Sequence, residues 1–465
     1  MAGSDSFKLL PTIGGVIVAV LVYYLVRSTS AGEPAALTAS VSALCATWWM
    51  LEAIPLPVTA LVPLALFPVF GVLTSEQVAS AVGNPVILLF LGGFIMSSAM
   101  ERSGAHRRLA LMIVSAIGGE SPKRLVFGFM VAIAALSTFI SNTAALLMLL
   151  PILSATVETA EDRELAPVLF LAVAYAASIA GIGTPIGTPP NLLFLQSYEQ
   201  ATGETIGFAS WMMLNLPIVV VMLPIAGWWL TRRLSGNYTV TLPTVGDWTQ
   251  AEVRTLAVYA VVAMLWITRS EPFGGWSTWL DVPQATDASV ALLGVVAMFL
   301  VPNGTGGRLL DWKTAESIPW GMLLLFAGGI AIARAFSSSG LGDLIGTSIA
   351  ALGSLPLPLL LVGICLSITF LTELTSNTAT AALLMPVLAV AAVAADTDPL
   401  VFMLPAVISI SFAFMLPVAT PTNAVIYGTN RVTIRRMIRE GVVLNLIGVI
   451  VIAAYFLVRG QGSLL

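Results

Sequence analysis

Two short polar strings, Ser141-Asn142-Thr143 and Ser376-Asn377-Thr378, interrupt strongly apolar sequence. About 45 residues after each comes a Thr-Pro-x-Asn string, Thr188-Pro189-Pro190-Asn191 and Thr420-Pro421-Thr422-Asn423. Hydroxyls, amide oxygens and backbone carbonyls are hard oxygen ligands for a cation that has left its water. A helix broken at Gly187-Thr188-Pro189 frees carbonyls at one C-terminus and N–H groups at the next N-terminus. The freed N–H groups and the positive dipole end attract an anion. One such tip can hold both an alkali cation and part of an anionic substrate. Neither tip contains Lys or Arg. A dianion brought to the middle of a membrane would stay uncompensated unless cations travelled with it. The residue types therefore favour cation-coupled symport over an arginine clamp.

The surrounding sequence must place these strings at membrane depth. Hydrophobic residues make up 58% of the 465 and charged residues 9%, against about 25% charge in a soluble domain. Such a chain cannot cover a water-facing surface, so lipid is its solvent. The spacing predicts an all-α polytopic membrane protein with about eleven spans: 9–26, 36–52, 56–72, 84–100, 165–198, 211–231, 253–269, 287–302, 320–336, 399–430 and 441–458. Gly and Pro break the spans 165–198 and 399–430. The stretches 122–157 and 355–395 carry Ser-Asn-Thr at their centres and read as two re-entrant hairpins. Short interfacial helices are expected at 103–118 and 340–354. With the N-terminus cytoplasmic and the C-terminus external, sixteen of the twenty Lys and Arg fall inside, as the positive-inside rule requires. Lys8 precedes the first apolar run without a small-x-small cleavage site, so that run reads as an uncleaved span.

The second half echoes the first. Leu136–Ala144 matches Leu371–Ala379, Gly92-Gly93 matches Gly328-Gly329, and Thr188–Asn191 matches Thr420–Asn423, at offsets of 235, 236 and 232. An odd number of spans separates equivalent points, so the copies are inverted. Inverted repeats with broken helices mark secondary transporters whose site lies at the repeat interface. Expected divisions are residues 1–35 outside the repeat, 36–235 as the first copy and 236–465 as the second.

Other readings of these residues are weaker. A barrel would alternate polar and apolar residues in short segments. Ser-Asn-Thr could merely glue helices together, but two copies paired with two breaks go beyond that. A Ser nucleophile would need an activating base, and neither tip holds His, Lys or Asp. His106 is the only histidine, which excludes a His-based metal site. A channel does not require two closed tips. No basic tract points to nucleic acid. Cys45 and Cys365 read as unpaired structural residues. Glu373, the one acid inside a hairpin, reads as a proton carrier or cation-site neighbour, or as a carboxylate bonding backbone at the tip. Thr138 replaces it in the first copy, which favours the last. The tryptophans, such as Trp48, Trp49, Trp211, Trp228 and Trp320, read as interface anchors.

The doubled Ser-Asn-Thr, the TPIGTPPN and ATPTN breaks, and WWMLEAIPLPVTALVPLALFP at 48–68 resemble the divalent anion/sodium symporter (DASS) family, from about residue 36 to the C-terminus. The resemblance implies a homodimer in the cell (inner) membrane, with scaffold parts at about 36–100 and 253–336 and mobile transport parts at about 122–198 and 355–430. It implies an elevator motion and sodium-coupled uptake of succinate, malate or fumarate. By that resemblance one sodium site uses Ser137, Ser141, Asn142 and the Gly187 backbone. A second uses Thr372, Thr375 or Ser376, Asn377 and the Ala419 backbone. Substrate carboxylates meet Asn142, Thr143, Thr188, Asn377, Thr378 and Pro421. Sodium-independent exchange, or carriage of citrate or sulfate, is the alternative within the family.

Overall fold

The computed structural model describes residues 9–29, 31–118, 121–158, 162, 164–234, 246–270, 274–342, 344 and 356–459. Lys8, Arg163, both termini and most of the stretch 340–354 lie outside them. The described residues are helical throughout and form no named strand. In order they are α1 (Leu9–Arg27), α2 (Gly32–Leu51), α3 (Leu56–Val69), α4 (Ser75–Val82), α5 (Pro85–Ser103), α6 (Ala105–Gly118), α7 (Pro122–Ser137) and α8 (Asn142–Glu158). Then come α9 (Leu165–Gly181), α10 (Pro189–Thr202), α11 (Phe208–Thr231), α12 (Gln250–Ile267), α13 (Gly275–Trp279), α14 (Asp287–Leu300), α15 (Trp312–Ala315) and α16 (Trp320–Ser339). The chain ends with α17 (Leu357–Leu374), α18 (Asn377–Ala394), α19 (Pro399–Ser411), α20 (Pro421–Gly428) and α21 (Ile434–Arg459). Among the described residues nine helices are long and apolar enough to cross a membrane.

Both hairpins form as helix-turn-helix pairs, α7–α8 and α17–α18, and both long spans break, into α9–α10 and α19–α20. Helix α9 is apolar around its whole circumference and nearly every residue in it is buried, as an all-round apolar helix must be. Helix α19 repeats the pattern in the second copy. Helix α4 is not expected from the sequence. It is amphipathic rather than apolar, and a Thr74–Gln77 capping box starts it. Helix α21 begins seven residues before the expected span, because Arg435, Arg436, Arg439 and Glu440 form an amphipathic turn ahead of the apolar run.

Repeat symmetry also governs the packing of α3, α5, α14 and α16. A β-carbon on Gly92 of α5 would lie 2.6 Å from Cβ of Ala291 in α14. A β-carbon on Gly328 of α16 would lie 2.6 Å from the carbonyl oxygen of Ala60 in α3. Gly92 and Gly328 are equivalent in the repeat. Each copy lends a glycine to a near-contact with the other copy's alanine. A methyl at either site would force the helices apart, at about 1–3 kcal/mol. Helix α1 stands outside the repeat and packs on α2, where Trp48 Nε1 donates to Thr12 O at 3.1 Å and Ser40 Oγ to Ala19 O at 2.9 Å. Its outward face is apolar and exposed.

Two tryptophans depart from the anchor reading. Trp49 and Trp211 are fully buried, and their indole N–H groups donate to Leu56 O and Ile182 O. Trp211 answers to a carbonyl freed where α9 ends, a demand invisible in hydropathy. Trp228 and Trp320 are exposed and fit the anchor role.

Candidate functional site

Both hairpin tips and both breaks converge on one cavity of about 340 Å³. Hairpin α7–α8 gives Ser141, Asn142 and Thr143, and hairpin α17–α18 gives Ser376, Asn377 and Thr378. The breaks give Gly187, Thr188 and Pro189, and Ala419, Thr420 and Pro421. Helices α3, α5 and α16 close the opposite side with Leu56, Phe90, Phe94 and Met322, beside Pro319. One wall is therefore hydroxyl, amide and backbone, and the other is apolar. No charged side chain lines the cavity among the described residues. Every residue expected to meet a substrate carboxylate is in its wall.

The N-termini of α8, α10, α18 and α20 all begin in this wall. Unpaired N–H groups at helix starts make such a wall attractive to anions. The breaks are held open by the same side chain in each copy. Asn191 Nδ2 donates to the carbonyls of Gly181 and Thr184, at 2.9 and 2.8 Å. Asn423 Nδ2 donates to those of Ala413 and Leu416, at 3.0 and 3.1 Å. The backbone turns also match: Gly187 N–H bonds Thr184 O and Ala419 N–H bonds Leu416 O, both at 3.3 Å. The motif asparagines Asn191 and Asn423 thus clamp the breaks, a role that only the structure shows.

A strap ties each hairpin to its break; the break donates and the hairpin accepts in both copies, but side chain and backbone exchange roles. In the first copy the Thr184 hydroxyl donates to the Thr138 carbonyl. In the second, Glu373 replaces Thr138 and accepts from Met415 N–H at 2.8 Å, Leu416 N–H at 2.9 Å and Asn445 Nδ2 at 2.7 Å. Glu373 is buried and does bond backbone, as the weaker-chemistry reading held, but at the break and not at the hairpin tip. Tyr175 of α9 completes the second break by donating to Phe414 O at 2.5 Å. Trp211 does the equivalent for Ile182 O at 2.8 Å. Sequence reasoning missed Tyr175, Trp211 and Asn445. Each lies on another element, and only the fold brings it to a break.

The expected cation ligands divide unequally. Ser137 Oγ and Asn142 Oδ1 are buried oxygens with no hydrogen-bond partner, which suits atoms awaiting a cation. Their counterparts Thr372 Oγ1 and Asn377 Oδ1 instead bond each other at 2.6 Å. The glycine at 181 accounts for part of this difference. Its missing β-carbon makes room for the Asn142 amide, which would otherwise lie 2.8 Å away. The second copy carries Ala413 at that place. Ser376 lines the cavity, whereas the Thr375 hydroxyl is engaged with Leu371 O and Thr380 Oγ1. Of the two alternatives, Ser376 is the one that faces the cavity. Ser137 and Thr372 are fully buried and do not line it.

The sodium:sulfate symporter transmembrane region matches this chain over residues 8–460. The chain belongs to that family. A sodium-dependent dicarboxylate transporter SdcS of Staphylococcus saprophyticus is 38% identical over 480 aligned residues, covering 97% of this chain and 91% of that protein. The protein of the same name from Staphylococcus aureus is 38% identical over 434 residues, covering 88% and 82%. The crystal structure of the YdaH transporter of Alcanivorax borkumensis shares the fold, with a TM-score of 0.59 at 16% identity over 97% of this chain and 99% of that one. The chain is a multi-pass membrane transporter and not an enzyme.

Proposed function

We propose that this transporter is a sodium-coupled symporter of C4-dicarboxylates such as succinate, malate and fumarate, working by an elevator motion. The observation that carries the reading is the convergence of both tips and both breaks on a cavity whose described walls hold no charged side chain. Its volume falls in the range of small-molecule sites. A dianion there has no Lys or Arg beside it, so its charge must be balanced by cations bound in the same tips. Unpartnered Ser137 Oγ and Asn142 Oδ1 support a cation at the first tip, with Ser141 and the Gly187 carbonyl completing the ligands. Thr372, Ser376, Asn377 and the Ala419 carbonyl are the proposed second set. Asn142, Thr143, Thr188, Asn377, Thr378 and Pro421 are the proposed carboxylate partners. The named activity of the relatives supports the same substrate class.

In this reading α3, α5, α14 and α16 belong to a fixed scaffold and the hairpins and broken helices move against it as one body. The homodimer and the orientation, with the N-terminus cytoplasmic and the C-terminus external, belong to the same proposal. Reporters fused at the two ends should give opposite signals, and one compartment for both would overturn the span count. The deciding experiment is uptake of labelled succinate into proteoliposomes with and without an inward sodium gradient. Uptake that ignores sodium would replace symport by exchange. Uptake driven equally by a proton gradient would move the coupling role to Glu373. Preference for citrate or sulfate would keep the mechanism and change the cargo.

A further inference from the structure

Nine hydroxyl side chains among the described residues stand in the wall of the central cavity. Three are occupied within the protein. Ser411 Oγ donates to Val407 O at 3.5 Å, and the Thr420 and Thr422 hydroxyls bond each other at 3.0 Å. The other six, Ser141, Thr143, Ser178, Thr188, Ser376 and Thr378, have no hydrogen-bond partner among the described residues. Five of these belong to the proposed cation and carboxylate sets. The sixth, Ser178 of α9, belongs to neither. It is 4% exposed. Ser137 Oγ and Asn142 Oδ1, the proposed cation ligands, are sealed in the interior, and the Ser178 oxygen is not. Three residues along α9, on the same helix face, comes Gly181. A β-carbon there would lie 2.8 Å from Asn142 Nδ2 and 3.3 Å from Cβ of Thr188. Both residues are proposed carboxylate partners. Ser178 therefore stands one helical turn from the groups that hold the anion, on the cavity side of the cation ligands.

The second copy has no equivalent. At the repeat offset of 232, Ser178 becomes Ile410, which is fully buried and outside the cavity wall. The polar wall is otherwise built twice, with Asn142 and Thr143 answering to Asn377 and Thr378, and Thr188 to Thr420. Succinate and fumarate have two like ends, and a wall with two like halves suffices for them. A dicarboxylate with a hydroxyl at C2 has unlike ends. We propose that Ser178 bonds that hydroxyl, so that the site distinguishes a 2-hydroxydicarboxylate such as malate from succinate and fumarate. A hydroxyl both donates and accepts, so serine and substrate can pair in either sense and neither needs a charge. With succinate bound, a water can fill the same place. The inference rests on the transport reading and adds which feature of the substrate the site reads.

The test is competition by unlabelled malate and by unlabelled succinate against labelled succinate uptake in proteoliposomes, at saturating sodium. Wild type is compared with Ser178→Ala, since alanine is the best helix former and leaves α9 intact. Ser178→Cys, which keeps the volume and bonds only weakly, is the second variant. In both variants the half-inhibitory malate concentration should rise roughly two- to tenfold, the loss of one neutral hydrogen bond. The value for succinate should stay within about twofold, and the half-activating sodium concentration should not change. In detergent, the melting-temperature shifts given by malate and by succinate should show the same split. An equal loss for both anions would make Ser178 a carboxylate partner and overturns the proposal. A raised sodium requirement would make it a cation ligand and overturns it too. An unmoved malate-to-succinate ratio in an active carrier overturns this inference alone. Wild-type protein that takes up and binds neither anion overturns the transport reading, and this inference with it.

Discussion

Replacing Gly181 by Ala should weaken sodium coupling at the first hairpin while leaving the fold intact. A β-carbon at 181 would lie 2.8 Å from Nδ2 of Asn142 and 3.3 Å from Cβ of Thr188. Non-bonded heavy atoms settle at about 3.5–4.0 Å, so the amide must swing away or the tip must recede. The stability cost should be at the low end for overpacking, about 1 kcal/mol, because the clash falls on a side-chain end at the cavity wall. The cost to function should be larger. A cation that loses the Asn142 oxygen loses a charge-assisted contact of about 1.5–3 kcal/mol, roughly ten- to hundredfold in affinity. The second break carries Ala413 at the same place, where the Asn377 oxygen is held by Thr372 instead. Ala413→Gly should accordingly change sodium dependence far less. The assay is the sodium dependence of labelled succinate uptake in proteoliposomes, with the melting temperature as control. A half-activating sodium concentration within about twofold of wild type, with Gly181→Ala folded and active, would refute the placement of the Asn142 amide at the cation.

The remaining expectations concern the tips, the strap and one surface pair. Asn142→Asp and Asn377→Asp should each abolish dicarboxylate uptake in folded protein, since each removes the amide donor and sets a negative charge beside the anion. Ser154→Ala, one hairpin arm away, should be nearly silent in the same assay. Glu373→Ala strips the acceptor from two backbone N–H groups and from Asn445. Each orphaned donor costs about 1–3 kcal/mol, so the Ala variant should melt well below Glu373→Gln, which retains one acceptor oxygen, and equal melting would show that the strap does not hold the break. At the end of α9, Arg436 bonds Glu164 at 2.8 Å and holds that carboxyl below its usual range. A depressed carboxylate stabilises the fold above its unfolded pKa and loses that contribution as pH falls through the folded value. Glu164 is half exposed, so the effect is under about 1 kcal/mol. The melting temperatures of wild type and Glu164→Gln should differ slightly near pH 6 and converge toward about pH 3.

Much of the architecture was legible because lipid leaves few choices. Backbone groups in a bilayer must pair internally, so uncharged runs become helices, and Gly-Pro strings with polar neighbours become breaks that line a cavity. That logic located both hairpins and both broken spans, while the six residues expected at the substrate came from the family resemblance. The repeat was legible because both copies retain Ser-Asn-Thr and Thr-Pro-x-Asn. Helix α4 and the early start of α21 were not, because their amphipathic turns carry charge and fall outside a hydropathy reading.

The sequence by itself determined that this chain lives in lipid, that it is built twice, and that its two polar tips hold oxygen ligands and no cationic side chain. These follow from composition and local pattern, which act over a few residues. The tertiary structure decided which groups complete the tips. Tyr175 reaches the second break from α9, Asn445 reaches Glu373 from α21, and Trp211 reaches Ile182 from α11. It also decided that the repeat is unequal at its centre: Gly181 leaves room for the Asn142 amide, and in the second copy Asn377 turns to Thr372. Each freed carbonyl or N–H at a break must find a partner, and residues remote in sequence supply it. Only the packing of the helices selects which ones.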